Sequence, residues 1–254
     1  MTVGSLELER LVTVSIVSHH QGEMTLNLIQ NLERHCADCI AKVILTKNIP
    51  GNVIAWPDKF RFPVEILENS VPKGFGANHN QAFQQCETSW FLVINPDVEI
   101  NNNVLERLLK SASEPDGLIA PQEVNSFGAP TRNLRGAVTP TEIVRRWFAG
   151  YKPPESIPNG WVSGMFMLCR SDAYRSIGGF DQRYFVYCED FDLCARLMLN
   201  GWRVSLDKST TVQHEPQKSS HKLAAPLIWH VTSLMKMWLS ATFWRYIFLR
   251  ARLR

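Results

Sequence analysis

The chain has 254 residues, 45% of them apolar and 20% charged, enough to bury roughly three quarters of its unfolded surface without disulfides or a structural metal. That balance excludes disorder, and 14 Gly and 14 Pro without a period exclude collagen-like and low-complexity chains. Charge is segregated: Lys218, Lys222, Lys236, Arg245, Arg250, Arg252 and Arg254 follow Glu215 with no acid among them, leaving 20 basic against 24 acidic side chains before them. An acidic body with a basic tail predicts an anionic partner for the tail.

The opening MTVGSLELER has neither a basic start nor an apolar core, and it carries Glu7, Glu9 and Arg10. It does not read as an export signal, so a cytoplasmic protein with six reduced cysteines is expected. Cys36 and Cys39 form a lone C-x-x-C with no second pair at zinc spacing, and they read as structural thiols.

Thr13–Ser18 reads as a buried strand. Glu23–His35 follows as a helix with Met24, Leu28 and Leu32 on one face. Val43–Thr46 and Val64–Leu67 are further strands, and Gly76–Glu87 is a helix. Trp90–Asn95 is apolar on both faces and therefore central. Val104–Ala112 is a helix and Leu118–Ala120 a strand. This alternation predicts an α/β fold, a mainly parallel central sheet covered by helices. Residues 121–160, rich in Pro, Gly, Asn and Arg, read as one long functional connection. Pattern returns at Trp161–Leu168, with helices at Ser171–Ser176 and Glu189–Leu199, the latter closed by Asn200-Gly201. Arg203–Leu206 and Thr211–Gln213 are late strands. From Leu223 the chain predicts an amphipathic helical tail. His230, Ser233, Lys236 and Ser240 fall on one stripe; Leu227, Val231, Leu234, Trp238 and Ala241 fall on another. Its 13-residue uncharged stretch falls short of the roughly 20 needed to span a bilayer. With Trp229, Trp238 and Trp244 and the terminal arginines it suits an anionic membrane surface. The expected organisation is a domain over 1–222 and a tail over 223–254.

Ligands bind beyond the carboxyl ends of strands in open α/β sheets. Four polar segments follow the first four strands: Ser18-His19-His20-Gln21, Lys47-Asn48, Asn69 with Lys73-Gly74-Phe75-Gly76-Ala77-Asn78, and Asn95-Pro96-Asp97. Lys73, Gly74 and Gly76 at a helix start suit a diphosphate; a plain turn is the alternative. Asp97 at the sheet edge suits a diphosphate-bound Mg²⁺ or Mn²⁺, or else an Asx turn. Glu189-Asp190-Phe191-Asp192 reads either as acids stabilising a helix N-terminus, with Asp192 pairing Arg196, or as a general base raised by its neighbours. His214 is a lone metal ligand or a structural histidine. No serine elbow, HExxH or nucleic-acid motif is present.

Together SIVSHH, NSVPKGFGANHNQAF, FLVINPDVEI, WVSGMFMLCR and IGGFDQRYFVYCEDFDLCARLMLNGW resemble family 2 of the inverting glycosyltransferases, in order from about residue 12 to 214. The similarity is greatest to the rhamnosyltransferase-like branch of bacterial O-antigen and cell-surface glycan synthesis. The resemblance implies a GT-A fold, a nucleotide-sugar donor of dTDP-L-rhamnose type and a lipid-diphosphate-linked saccharide acceptor. It implies a peripheral place on the inner face of the cell membrane. By position it makes Asp190, beside Glu189, the catalytic base, and Asp97 with His214 the Mg²⁺ or Mn²⁺ ligands. Asn95 stands where the family's first metal-motif Asp would be. Ser18, His19, Asn48, Lys73, Gly74, Gly76, Asn78, Asn95 and Asp97 would line the donor, and Trp161, Ser163 and Gly164 the acceptor cleft. Thr46-Lys47-Asn48 departs from the family's usual Asp-Asn-x-Ser after the second strand. The rival readings are a sugar-phosphate nucleotidyltransferase, whose G-x-G-T-R loop is missing here, and a non-catalytic sugar-nucleotide-binding membrane module.

Overall fold

The computed structural model describes residues 10–49, 59–131, 134–149, 157, 160–214 and 224–252. The elements run β1 (Val12–His19), α1 (Gly22–Cys36), β2 (Ile40–Ile49), β3 (Val64–Glu68), α2 (Phe75–Phe83), β4 (Trp90–Ile94), β5 (Val98–Glu99), α3 (Val104–Ser111) and β6 (Asp116–Val124). They continue with β7 (Leu134–Arg135), α4 (Pro140–Ala149), β8 (Trp161–Val162), β9 (Phe166–Arg170), α5 (Ser171–Ser176), α6 (Glu189–Leu199), β10 (Arg203–His214), α7 (Ala224–Trp238) and α8 (Ala241–Arg252).

Eight strands form one sheet in the order β3-β2-β1-β4-β9-β6-β10-β5. The pairs β2–β3, β1–β2, β1–β4 and β6–β10 are parallel; β9 runs antiparallel to β4 and β6, and β5 to β10. The sheet is therefore mainly parallel. Side chains alternate between its faces. Val12, Val14, Ile16, Val43, Leu92 and Ile94 meet Leu28, Ile29 and Leu32 of α1 and Leu105 and Leu108 of α3. Phe91, Val93, Leu118, Met167 and Cys169 point the other way, against Ala82 of α2, Tyr174 of α5 and Leu193 and Leu197 of α6. The polar loops thus collect at the carboxyl ends of the parallel strands.

The two expected late strands are one, β10, with an irregularity between Asp207 and Thr211. There Ser209 and Thr210 hydroxyls donate to the Asp207 carboxylate at 2.6 and 2.9 Å, closing the bulge without breaking the strand. The expected connection over 121–160 holds the end of β6, then β7 and α4; β7 pairs with β8 in a separate two-stranded ribbon. Cys36 and Cys39 are free and buried, and burial pushes their thiols up to about 11 and about 12, which suits inert packing residues.

The tail departs most from expectation. Ser240 breaks it into two helices: its hydroxyl accepts the Phe243 N–H at 3.1 Å as an N-cap. Helix α8 joins the core, where Phe243 and Tyr246 are wholly buried with Tyr184, Phe191 and Ala195. The expected polar stripe divides: Ser233 and Ser240 are buried, while His230 and Lys236 stay exposed. The Ser233 hydroxyl donates to Val186 O and Lys236 Nζ to Arg183 O, both at 2.8 Å, and Tyr187 packs on His230. The expected apolar stripe divides too: Leu227 (67%) and Val231 (51%) are exposed, while Leu234 and Trp238 pack against the Phe243–Tyr246 cluster. Lys218, Lys222, Leu223 and Arg254, and the 222/223 boundary, lie outside the described residues.

Candidate functional site

Glu189 and Asp190 open α6 after two residues in left-handed conformation, Tyr187 and Cys188, both at φ +69°. Neither is glycine, so the turn holds backbone that is costly for ordinary side chains. The arrangement turns Asp190 toward the ribbon. Its Oδ2 accepts the Gly164 N–H at 3.2 Å and its Oδ1 the Phe191 N–H at 2.8 Å. Burial raises its pKa; the Phe191 N–H, the charge of Arg135 and the Gly164 N–H oppose that rise without cancelling it. Glu189 is buried with Oε2 lacking any partner. Burial and the adjacent Asp190 push it up to about 8. With one carboxylate served by two N–H donors and the other by none on Oε2, a single proton shared by this pair at neutral pH rests on Glu189. Asp192 points into the core and pairs Arg196 Nε at 2.6 Å, the helix-pairing role. The three acids therefore divide their work.

At the carboxyl edge β4, β6 and β10 bring three groups together. His214 Nε2 lies 3.4 Å from Asp97 Oδ2 and its Nδ1 2.8 Å from Glu123 Oε1. Burial disfavours the charged ring, but the hydrogen bonds to Asp97 and Glu123 outweigh it and hold His214 up at about 9. Asp97 Oδ1 is buried without a partner. A divalent cation fits Asp97, a carboxylate with a spare oxygen, and would take His214 as a second ligand by displacing the Nε2 proton, with Glu123 holding the ring from behind. Among the described residues no group of three protein ligands converges on one point, so a bound ion would complete its shell from diphosphate oxygens.

The donor residues named from the sequence fall into two sets. Asn48 and Asn78 are wholly buried. The Asn48 amide donates to Lys73 O at 2.8 Å and lies 2.7 Å from His19 Nε2, and its oxygen accepts the Lys73 N–H and Asn69 Nδ2 at 2.8 Å each. Asn78 accepts from Asn69 at 2.6 Å and donates to Gly74 O at 3.0 Å. These asparagines brace the loop. Burial, then His20, lowers the His19 pKa, so it stays a neutral donor-acceptor. Ser18 is buried at the end of β1. The Asn95 N–H donates to Met165 O at 2.9 Å and its carbonyl accepts the Val98 N–H at 3.3 Å, fixing the turn that carries Asp97. Lys73 Nζ donates to Gln81 Oε1 at 2.6 Å.

Gly74 and Gly76 are required by close protein contacts. A Cβ on Gly74 would meet Phe185 O at 2.7 Å, and one on Gly76 would meet Phe180 Cβ at 2.4 Å. The Phe75 N–H at the start of α2 donates to Phe185 O at 2.8 Å. Protein carbonyl thus occupies part of the helix N-terminus.

Gly164 meets Asp190, and Trp161 packs on the next residue, Phe191, with ring centroids 6.2 Å apart. Trp161 Nε1 donates to Gly136 O at 2.9 Å, tying β8 to β7, and Gly164 follows the ribbon to Asp190. Ser163 is half-buried between them. Two residues escaped the sequence reading. Glu123 ends β6 as a lone carboxylate after an apolar strand, the same signal that marked Asp97, but the strand was expected to stop at Ala120. Arg135 sits in the span taken for a loop; nothing local marks it.

The same mainly parallel sheet architecture is found in solved glycosyltransferases. The mannosyltransferase PcManGT of Pyrobaculum calidifontis, solved with GDP-Man and Mn²⁺, superposes with TM-score 0.59 at 13% identity over 89% of this chain and 63% of that one. GalNAc-T7, solved with UDP, GalNAc and Mn²⁺, gives 0.64 at 14% over 91% and 48%. The profile of Glycosyl transferase family 2 matches residues 27–178, and the chain belongs to that family. It is 28% identical over 200 residues to the N-acetylglucosaminyl-diphospho-decaprenol L-rhamnosyltransferase of Mycobacterium tuberculosis, aligning 67% of this chain with 65% of that protein. It is 25% identical over 247 residues to rhamnosyltransferase WbbL of Escherichia coli, across 89% of this chain and 92% of that one. Family membership disposes of the nucleotidyltransferase alternative.

Proposed function

We propose that the chain is an inverting glycosyltransferase. It moves L-rhamnose from dTDP-L-rhamnose to a saccharide on a lipid diphosphate, in bacterial cell-surface polysaccharide synthesis. The observation that carries this reading is the placement of Asp190: a desolvated carboxylate held by two N–H groups, beside a neighbour that takes the proton. Such a group can accept the proton of an acceptor hydroxyl as that oxygen attacks the sugar. The names of the two relatives supply the sugar and the acceptor class. Asp97 and His214 would hold Mg²⁺ or Mn²⁺, with Glu123 orienting the histidine; the ion would offset the charge of the departing diphosphate. His19 and the braced loop 69–74 would bound the donor site, and Trp161, Ser163 and Gly164 the acceptor cleft.

The same reading puts the protein at the inner face of the cell membrane. Supporting it are the exposed apolar residues Leu227, Ile228, Val231 and Met235 of α7, the bases Lys236, Arg245 and Arg252, and the lack of any acid over 224–252. No helix among the described residues is long and apolar enough to cross a bilayer.

The test is transfer from a panel of nucleotide sugars to a GlcNAc-diphospho-lipid, with Mg²⁺ or Mn²⁺. Rhamnosylation from dTDP-L-rhamnose alone is expected; turnover with another donor reassigns the sugar, and no turnover with any favours the non-catalytic module. EDTA should stop the reaction, and Asp97→Ala should weaken dTDP-L-rhamnose binding more than His214→Ala. Full turnover in EDTA removes the cation from the mechanism.

A further inference from the structure

The ribbon beside Asp190 carries a cation that the general-base account does not use. Arg135 of β7 lies opposite Trp161 of β8 in antiparallel register. Its guanidinium stacks 5.4 Å from the Trp161 ring centroid, so the planar fork is set in orientation by the ring. Its charge acts on both Asp190 and Glu123, so it lies within electrostatic reach of the base and of the Asp97–His214–Glu123 group.

A second arginine arrives from a distant part of the chain. Arg250 of α8 brings Nη1 to 3.5 Å from where a side chain on Gly136 would begin. Its guanidinium lies 5.8 Å from the Tyr246 ring centroid. Tyr246 is buried against Phe191, next to Asp190. Arg250 is therefore held against the ribbon, one residue from Arg135, and it makes no ion pair with a carboxylate among the described residues. The same helix exposes Trp244 and Phe248 to the outside.

We propose that Arg135 and Arg250 form a subsite for the diphosphate of a lipid-linked acceptor, at the mouth of the cleft that ends at Asp190. The proposal rests on the transferase reading above. A lipid-linked saccharide has three parts in fixed order. Its sugar must reach Asp190, its apolar chain suits the exposed rings of α8, and its diphosphate lies between them. Arg135 lies on the ribbon that leads to Asp190, and Arg250 lies against that ribbon on the helix that exposes those rings. Arginine binds phosphate oxygens through paired N–H donors, and stacking on Trp161 and Tyr246 lowers the ordering cost. The donor diphosphate has its own place at the strand edge with Asp97 and His214, on elements that do not include the tail helix.

The test is calorimetric titration of the full chain, without donor, using farnesyl diphosphate and farnesol as probes. Arg135→Gln and Arg250→Gln should each weaken farnesyl diphosphate binding at least about tenfold, the loss of one charge-assisted contact. Farnesol binding should not change, and Arg250→Lys should recover part of the loss. Binding of dTDP with Mg²⁺ should be unaffected by Arg250→Gln. The proposal is overturned if the unsubstituted protein does not bind farnesyl diphosphate, or if neither substitution matters. It is also overturned if dTDP binding falls as much, which would give the arginines to the donor. Equal loss for farnesol with a lowered melting temperature would make them structural. Diphosphate binding that depends on both arginines, in a protein that transfers no sugar, would sink the transferase reading and leave the subsite standing.

Discussion

Glu189 and Asp190 are chemically alike and adjacent, yet the fold treats them differently. The Gly164 and Phe191 N–H groups stabilise charge on Asp190, while Glu189 Oε2 has nothing to stabilise charge. Asp190→Asn keeps the size and removes the proton acceptor, so transfer should fall at least about 100-fold, the lower end of general-base contributions, with donor affinity little changed. Glu189→Gln copies the protonated neighbour and should keep most turnover at pH 7. If Glu189→Gln is inactive and Asp190→Asn is active, the base is Glu189. The same residue gives a signed stability test. Its folded pKa, about 8, lies above the unfolded value near 4.5. Its contribution is therefore full below that unfolded value and is lost as pH rises through the folded one. The melting temperature of Glu189→Gln relative to the unsubstituted chain should then climb between pH 5 and pH 9. A difference that stays flat would mean that Glu189 ionises normally.

Between residues and the whole molecule stands the segment 180–188, which carries Phe185 against α2 and leads into α6. It is pinned from both sides: Gly74 admits the Phe185 backbone, while Ser233 and Lys236 of α7 hold Val186 O and Arg183 O. Gly74→Ala puts a methyl group within 2.7 Å of a backbone oxygen, which has no flexible end to swing away. It should cost about 1–3 kcal/mol, as overpacking does, and lower turnover by displacing Asp190. A normal melting temperature and normal turnover would show that the segment yields freely. The sequence carried α1, β1, β4 and α6 clearly because each has a full period of buried side chains, and α6 was bounded to the residue. It marks Asp97, Asp190 and His214 as candidates because each stands at an end of such an element. Residues 134–149 were hidden because two-residue strands have no period, and α4 lies among turn-forming residues. The buried asparagines were readable as polar loops but not as braces, since their partners lie up to 29 residues away. At Gly74 and Gly76, close approach to a ligand and close approach to Phe185 and Phe180 leave the same mark in sequence.

The whole molecule has one face that a water-soluble surface does not explain. On α7 Ser233 is buried while Leu227, Ile228, Val231 and Met235 are turned out, and Leu239, Trp244 and Phe248 are exposed as well. Contiguous exposed apolar surface of this kind marks an interaction site, and the surrounding bases Lys236, Arg245 and Arg252 favour an anionic one, each contributing about 1 kcal/mol near a charged bilayer. Because α8 belongs to the core through Phe243 and Tyr246, the lipid-facing surface is rigidly joined to the helix that carries Asp190. Docking would then set the height of the base above the bilayer. The full chain should co-sediment with liposomes containing anionic lipid and bind neutral ones less. Changing Leu227, Ile228 and Leu239 together to Gln should abolish binding at any salt concentration, while Arg245→Gln with Arg252→Gln should weaken only the salt-sensitive part. Neither set touches the α6–α8 contact, so both should leave the melting temperature nearly unchanged. If the apolar triple variant still co-sediments, the outward stripe is not a lipid surface. If it melts well below the unsubstituted chain, the stripe packs against protein.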